Sequence, residues 1–147
     1  MGPFLRWYVR TLLAVAMLAV APRGHAESPF KKVEVSTKVA RKGIDIPSVF
    51  RSEILQRIQG LRTNHPDMNE LVLSASLLQL ETRRDGHRAH SLCVVSAMLR
   101  KPNGALVAVL RGRARAEDGL HAIPDNELAA LRAAVKTVMH RLPDAIK

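Results

Sequence analysis

Residues 71–116 read LVLSASLLQLETRRDGHRAHSLCVVSAMLRKPNGALVAVLRGRARA. Two turn signals divide this stretch into three apolar runs. Asp85-Gly86 fits a two-residue hairpin turn, because Asp and Gly tolerate positive φ. Pro102-Asn103-Gly104 marks a second turn. The runs, at about 71–83, 87–100 and 105–116, are rich in Leu, Val, Ser and Ala with polar side chains interleaved. That spacing predicts three antiparallel strands.

The turns set an expected register. A loop formed by Asp85 and Gly86 places Leu78 opposite Cys93 and Val72 opposite Leu99. A turn spanning Lys101 to Gly104 places Leu99 opposite Leu106 and Val95 opposite Leu110. One face then carries Val72, Leu78, Leu80, Cys93, Val95, Ala97 and Leu99 with Leu106, Ala108 and Leu110. The other face has an apolar end, with Leu71, Leu73, Leu77, Val94, Met98, Val107 and Val109. Its second end is charged. A half-apolar second face calls for partial cover by a helix, the amino-terminal strand region or a partner.

Helices flank the strands. Phe50, Ile54, Ile58 and Leu61 fall at helical spacing across about 48–63. Glu53 and Arg57 stand as a supporting i,i+4 pair, and Asn64-His65-Pro66-Asp67 ends the run. Near the carboxyl end, Leu128, Leu131, Val135, Val138 and Leu142 trace an apolar stripe. Asp125 is its expected cap, Glu127 lies in its first turn, and Pro143 follows its end. Before all of these, Val33, Val35, Thr37 and Val39 alternate with polar residues in a short, half-buried strand. The expectation is an α+β fold in the order β-α-β-β-β-α. It consists of an antiparallel meander of three to four strands packed with two helices.

The first 26 residues have a different character. Arg6 and Arg10 precede an apolar run at 12–21, LLAVAMLAVA, and Gly24-His25-Ala26 offers a small-x-small cleavage site. This is the layout of a secretory signal peptide cut after Ala26, and the run is short for a permanent span. The expected organisation is a signal peptide at 1–26, a lead with a short strand at 27–47, and one domain at 48–147. The protein is expected to be periplasmic or secreted, with no transmembrane span after cleavage.

Arg6, Arg10 and Arg23 leave with the signal peptide. Of 23 basic side chains 20 remain, against 13 acidic ones, a net of +7. Phe4, Trp7 and Tyr8 leave as well, so only Phe30 and Phe50 remain. Single-stranded nucleic acids bind by stacking bases on aromatic rings, and this chain lacks that platform. Cys93 is the only cysteine, so no internal disulfide forms. Its place beside Val94 and Val95 predicts burial.

No catalytic pattern emerges. Ser74, Ser76, Ser91 and Ser96 lie within strands, not on a nucleophile elbow. No pair of carboxylates sits in an apolar setting, and no glycine-rich loop opens a helix. The histidines at 65, 87, 90, 121 and 140 show no metal-ligand spacing, and His87 and His90 would point to opposite faces of a strand. The expectation is a non-enzymatic protein without cofactor or metal.

The sharpest feature is basic. Arg111, Arg113 and Arg115 alternate along one strand and share a face. Arg83 and Arg88 fall on neighbouring strands nearby. One reading is an anion-binding surface for phosphate groups, acidic polysaccharide or an acidic protein. The other is a solvated face paired locally, since the expected register puts Glu81, His90 and Arg115 in one row and Arg88 opposite Glu117.

Across about 44–142, the chain resembles the small α/β modules of bacterial envelope accessory proteins. These include the curli-secretion lipoprotein, the outer-membrane activators of penicillin-binding proteins and the amino-terminal domain of the Tol-system propeller protein. The resemblance is carried by LVLSASLLQLETRRDG, by RKPNG with Gly104 in the hairpin, by ALVAVLRGRARAE and by the closing ELAALRAAVKTVMHRL. It implies docking, assembly or activation without catalysis. This chain has no cysteine to carry the lipid of the anchored members. The expected function is an exported binding or adaptor module of the cell envelope. Its partner would be an envelope protein, or alternatively an acidic polymer bound by the arginines.

Overall fold

The computed structural model describes residues 28–61 and 67–146. The proposed signal peptide and the helix stop at Asn64-His65-Pro66 lie outside them. The elements are β1 (Lys32–Thr37), α1 (Ile46–Gln59), β2 (Val72–Asp85), β3 (Arg88–Arg100), β4 (Leu106–Gly119) and α2 (Ile123–Ala145). The chain is α+β in the order β-α-β-β-β-α, as expected. The four strands form one sheet in the order β1-β2-β3-β4.

One part of the expected topology is corrected. β1 pairs with β2 in parallel, Lys32 opposite Val72 through Thr37 opposite Leu77, so the sheet is mixed. The cause is α1. A helix between two strands returns the chain to its starting end, and the second strand then runs the same way as the first. The remaining strands form the antiparallel meander.

The register also differs from expectation. The first hairpin loop is Gly86-His87, closed by Asp85 opposite Arg88. Gly86 takes φ +56 and no described non-glycine residue has positive φ, which fits a turn needing left-handed backbone at its first position only. His87 therefore sits in a turn and not on a strand face. The pairing then breaks between Leu77 and Gln79, so that Leu78 is an unpaired bulge residue, 49 % exposed. A bulge inverts the alternation of everything beyond it. Leu73 and Leu77, expected on the second face, are thereby turned into the core, where Leu73 pairs with Leu99 and Leu77 with Val95. Leu71, just before β2, is buried as well. A second irregularity near the other turn places Leu99 opposite Ala108 and Val95 opposite Gly112. Leu106 and Val107 are consequently exposed.

Both helices pack on the same face. α1 presents Ile46, Phe50, Ile54 and Ile58, all fully buried. It begins earlier than expected because Asp45 caps it. The Asp45 carboxylate accepts from Ser48 N at 3.3 Å and from Ser48 Oγ at 2.7 Å, which holds its carboxyl below the usual range. Glu53 does not pair with Arg57 but with Arg132 of α2, Oε1 to Nε at 2.9 Å, joining the two helices. α2 lies across β3 and β4 and buries Leu131, Val135, Val138 and Leu142. It starts at Ile123, so Asp125 falls within its first turn and does not cap it, and it carries Pro143 inside its last turn.

α2 approaches the sheet most closely at Gly112. A Cβ there would stand 2.5 Å from both Ala134 O and Val138 Cγ2. Only a residue without a side chain fits, so Gly112→Ala must push the helix from β4. We expect a loss of about 1–3 kcal/mol, the usual range for overpacking, measured as a lower denaturant midpoint at unchanged slope.

At the other edge, Glu34 of β1 bridges outward. Its carboxylate meets Lys32 Nζ at 3.0 Å and accepts from Ser74 Oγ at 2.9 Å and Arg100 Nη2 at 2.7 Å. The Lys32 contact first, then Ser74, hold its carboxyl down to about 2, from an ordinary 4.5. A lowered folded-state value means that the stabilisation is complete above pH 4.5 and fades as pH falls toward 2. Glu34→Gln should therefore be less stable than the parent at neutral pH and converge with it toward pH 2, as read by denaturant titrations across that window.

Candidate anion-binding face

With both helices on one side, the opposite face of the sheet is open. Its rows run across three strands. Ser74, Met98 and Val109 form one, then Ser76, Ser96 and Arg111, then Gln79, Val94 and Arg113. Glu81, Leu92 and Arg115 follow, and Arg83, His90 and Glu117 complete the set. A trough of about 870 Å³ lies over the last three rows and reaches Arg111 of the row before them, with Leu92 and Val94 as its floor. Arg111, Arg113 and Arg115 build one wall from β4. Gln79, Glu81 and Arg83 build the other from β2.

Four of the five arginines singled out in the sequence line this trough: Arg83, Arg111, Arg113 and Arg115. Arg88 does not. Its Nη1 is 2.5 Å from Glu117 Oε1, and Glu117 Oε2 is 3.3 Å from His90 Nδ1. Local pairing therefore holds for Arg88 and Glu117. It does not extend to Arg111, Arg113 and Arg115. Those three are exposed, and among the described residues no carboxylate lies within ion-pairing distance of them or of Arg83. Glu81 shares a row with Arg115, but Leu92 stands between them. His90 lies one row away from the expected position, beside Arg83 and Glu117, because the hairpin loop is Gly86-His87.

The apolar end of this face is smaller than expected, since the bulge removes Leu71, Leu73 and Leu77 from it. What remains is Met98, Val107 and Val109, with the bulged Leu78; Met98 is 40 % exposed and Val109 51 %. No described helix lies on it.

A second polar cluster escaped the sequence reading. Glu127, expected only as a first-turn acid, is buried under β2. Its Oε1 accepts from Thr82 Oγ1 at 2.7 Å and from Arg41 Nε at 3.2 Å. Arg41 also donates to the Ala40 carbonyl at 3.0 Å and to the carbonyl of Leu80. Asn126 donates to Ala89 O at 3.1 Å, Ser91 Oγ at 3.0 Å and Ala116 O at 3.1 Å. This network ties the segment after β1, three strands and the start of α2 together. Its only sequence signal was a polar pair, Asn126-Glu127, on the stripe side of a helix.

Among the described residues, no group of three His, Cys, Asp or Glu side chains is placed to hold a metal ion. No described helix is long and apolar enough to cross a membrane.

No protein-family model matches the chain, and no curated protein matches it. Solved structures do. The hypothetical protein CT253 from Chlamydia trachomatis aligns with a TM-score of 0.55 at 11 % identity, over 78 % of this chain and 93 % of that one. That likeness establishes a shared fold. A candidate lipoprotein from Caulobacter crescentus CB15 aligns with a TM-score of 0.48 at 18 % identity, over 82 % and 92 % of the two chains. A minor lipoprotein from Acinetobacter baumannii aligns at 0.44 and 10 % identity, over 80 % and 90 %.

Cys93 is fully buried between sheet and α2, and burial pushes its thiol up to about 12. Thiolate, the reactive species, is then scarce at neutral pH. An aromatic disulfide reagent at pH 8 should label the folded protein at least ~100-fold more slowly than the denatured chain. Prompt native labelling would show an open path to the core.

Proposed function

We propose that this chain is an exported, non-enzymatic adaptor module of the bacterial cell envelope, and that its contact surface is the arginine wall of the open sheet face. The observation that carries the proposal is the set of exposed arginines at 83, 111, 113 and 115 without carboxylate partners, above an apolar floor. A folded protein with spare acids nearby tends to pair its cations. Here Glu34, Glu53, Glu117 and Glu127 each hold a different base, and the trough is left positive. Such a surface draws in an acidic partner at long range and supplies bidentate donors on contact. The envelope assignment is supported by the amino-terminal export layout and by the resemblance of the strand and closing-helix segments to envelope accessory modules. The absence of a recognisable nucleophile, acid–base pair or phosphate loop supports work without catalysis.

A second reading uses the same wall for an acidic polymer. It is favoured by the shape of the trough, which is open along the strands and does not enclose a small ligand.

The test is retention from an envelope extract on the immobilised protein across a salt series. The expected result is one acidic protein retained into moderate salt, and lost at least tenfold with Arg111→Glu and Arg113→Glu together. Diffuse anionic material released steeply and together as salt rises identifies the polymer reading, because counterion release fixes that slope. Retention unchanged by the double reversal overturns the arginine wall as the contact surface.

A further inference from the structure

We infer that the outer edge of β4 receives an extended acidic segment of a partner protein as an added strand, with acidic side chains at alternate positions opposite Arg111, Arg113 and Arg115. This rests on the proposed function and specifies the partner's chemistry and docking mode.

Three observations lead to it. First, β4 is fourteen residues long and stands at the end of the sheet. The two-residue hairpin closes on Asp85 opposite Arg88, and the alternation counted along β3 from that pair turns the Arg111 peptide group away from β3, where its carbonyl accepts from Arg141 Nη1 of α2 at 3.5 Å. In an antiparallel strand the N–H and C=O of one residue point the same way, and direction alternates along the chain. Val109, Arg113 and Arg115 therefore also turn their peptide groups outward, and no described residue meets them. A long edge whose donors and acceptors, the Arg111 carbonyl apart, are unmet is a template for another strand.

Second, the side chains of those same residues point to the open face. Residues two apart on a strand are separated by about 6.6 Å, and an added strand repeats at the same spacing. Acidic side chains at alternate positions of the incoming segment thus meet each arginine in turn, at the roughly 5 Å Cβ separation of cross-strand pairs. An acidic polymer without a peptide backbone can satisfy the arginines but not the edge. Val109 and the exposed Val107 and Leu106 extend the same edge and suit an apolar residue beyond the acidic run.

Third, the alternatives fit less well. The β1 edge is only six residues long, and its open-face charges are already joined through Lys32, Glu34 and Arg100. A second copy of this chain, at a net of +7 without the signal peptide, would bring the same positive edge.

The experiment uses the purified protein and three probes: a labelled nonapeptide alternating Glu and Thr, the same peptide with alternate backbone nitrogens methylated, and inorganic polyphosphate. The expected result is saturable binding of the plain peptide, at least tenfold weaker binding of the methylated one, and slowed amide exchange at Val109, Arg111 and Arg113 in the complex. Val109→Pro removes one outward N–H and no arginine, and proline is tolerated on an edge. It should weaken the plain peptide at least tenfold and leave polyphosphate affinity within twofold, with an unchanged melting temperature as the check on folding. Equal binding of plain and methylated peptides overturns strand addition while leaving the arginine wall as a contact surface. Failure of both the plain peptide and polyphosphate to bind overturns that surface too. Because the methylated peptide is read on the parent protein, the result stands even if the proline variant does not fold.

Discussion

The close contact of α2 with β4 at Gly112 governs the rest of the molecule. α2 is seated low over β3 and β4, and α1 lies beside it on the same face, where Glu53 and Arg132 join the two. All helical cover is thereby spent on one side. Among the described residues no helix covers the sheet's second face, which is left to water or a partner. The alternation of the strands respects this division. Ala75, Leu80, Cys93, Val95 and Ala97 are buried on one side. Serines and charged residues alternate with them on the other.

Most of the fold was legible because hairpins announce themselves locally. Asp85-Gly86 and Pro102-Asn103-Gly104 located both turns to within a residue, and the helical stripes located both helices. Three features were not legible, each for a physical reason. The bulge at Leu78 has no glycine or proline to mark it, and LLQL reads equally well on either parity. The parallel pairing of β1 depends on where α1 delivers the chain, a tertiary outcome invisible in a six-residue strand. The role of Glu127 depends on Arg41, which is distant in sequence and lies in a segment that reads as a simple strand break. The arginines of β4 were legible because alternation is a local property. That they lack partners was not, since pairing depends on a register shifted by the loop Gly86-His87.

The distribution of acids explains why the trough is positive. The carboxylates paired with a base act at joints. Glu34 joins β1 to the sheet, Glu53 joins the helices, Glu127 joins the segment after β1 to α2, and Glu117 braces the first hairpin end. Each position is fixed by the fold. With 13 acids against 23 bases across the chain, the surplus of cations has to appear somewhere. It appears in a row on the one strand whose neighbours on the open face are Leu92, Val94 and Ser96, none of which can neutralise it.

A row of arginines on a terminal strand serves two ends that look opposed. Charge at an edge discourages pairing with other copies, the main hazard of a long free strand. At about 6.6 Å in water, neighbouring arginines repel by roughly 0.6 kcal/mol each, which a second identical edge would multiply. The same repulsion is relieved by a strand carrying acids at the same spacing. An edge guarded in this way rejects its own kind and admits its electrostatic complement, so specificity follows from charge sign and strand spacing together. Serines or threonines in place of the arginines would leave the edge open to any strand. Charges of alternating sign along β4 would let the edge pair with itself. The uniform row of Arg111, Arg113 and Arg115 is the arrangement that forbids the second case while keeping the peptide groups beneath it available.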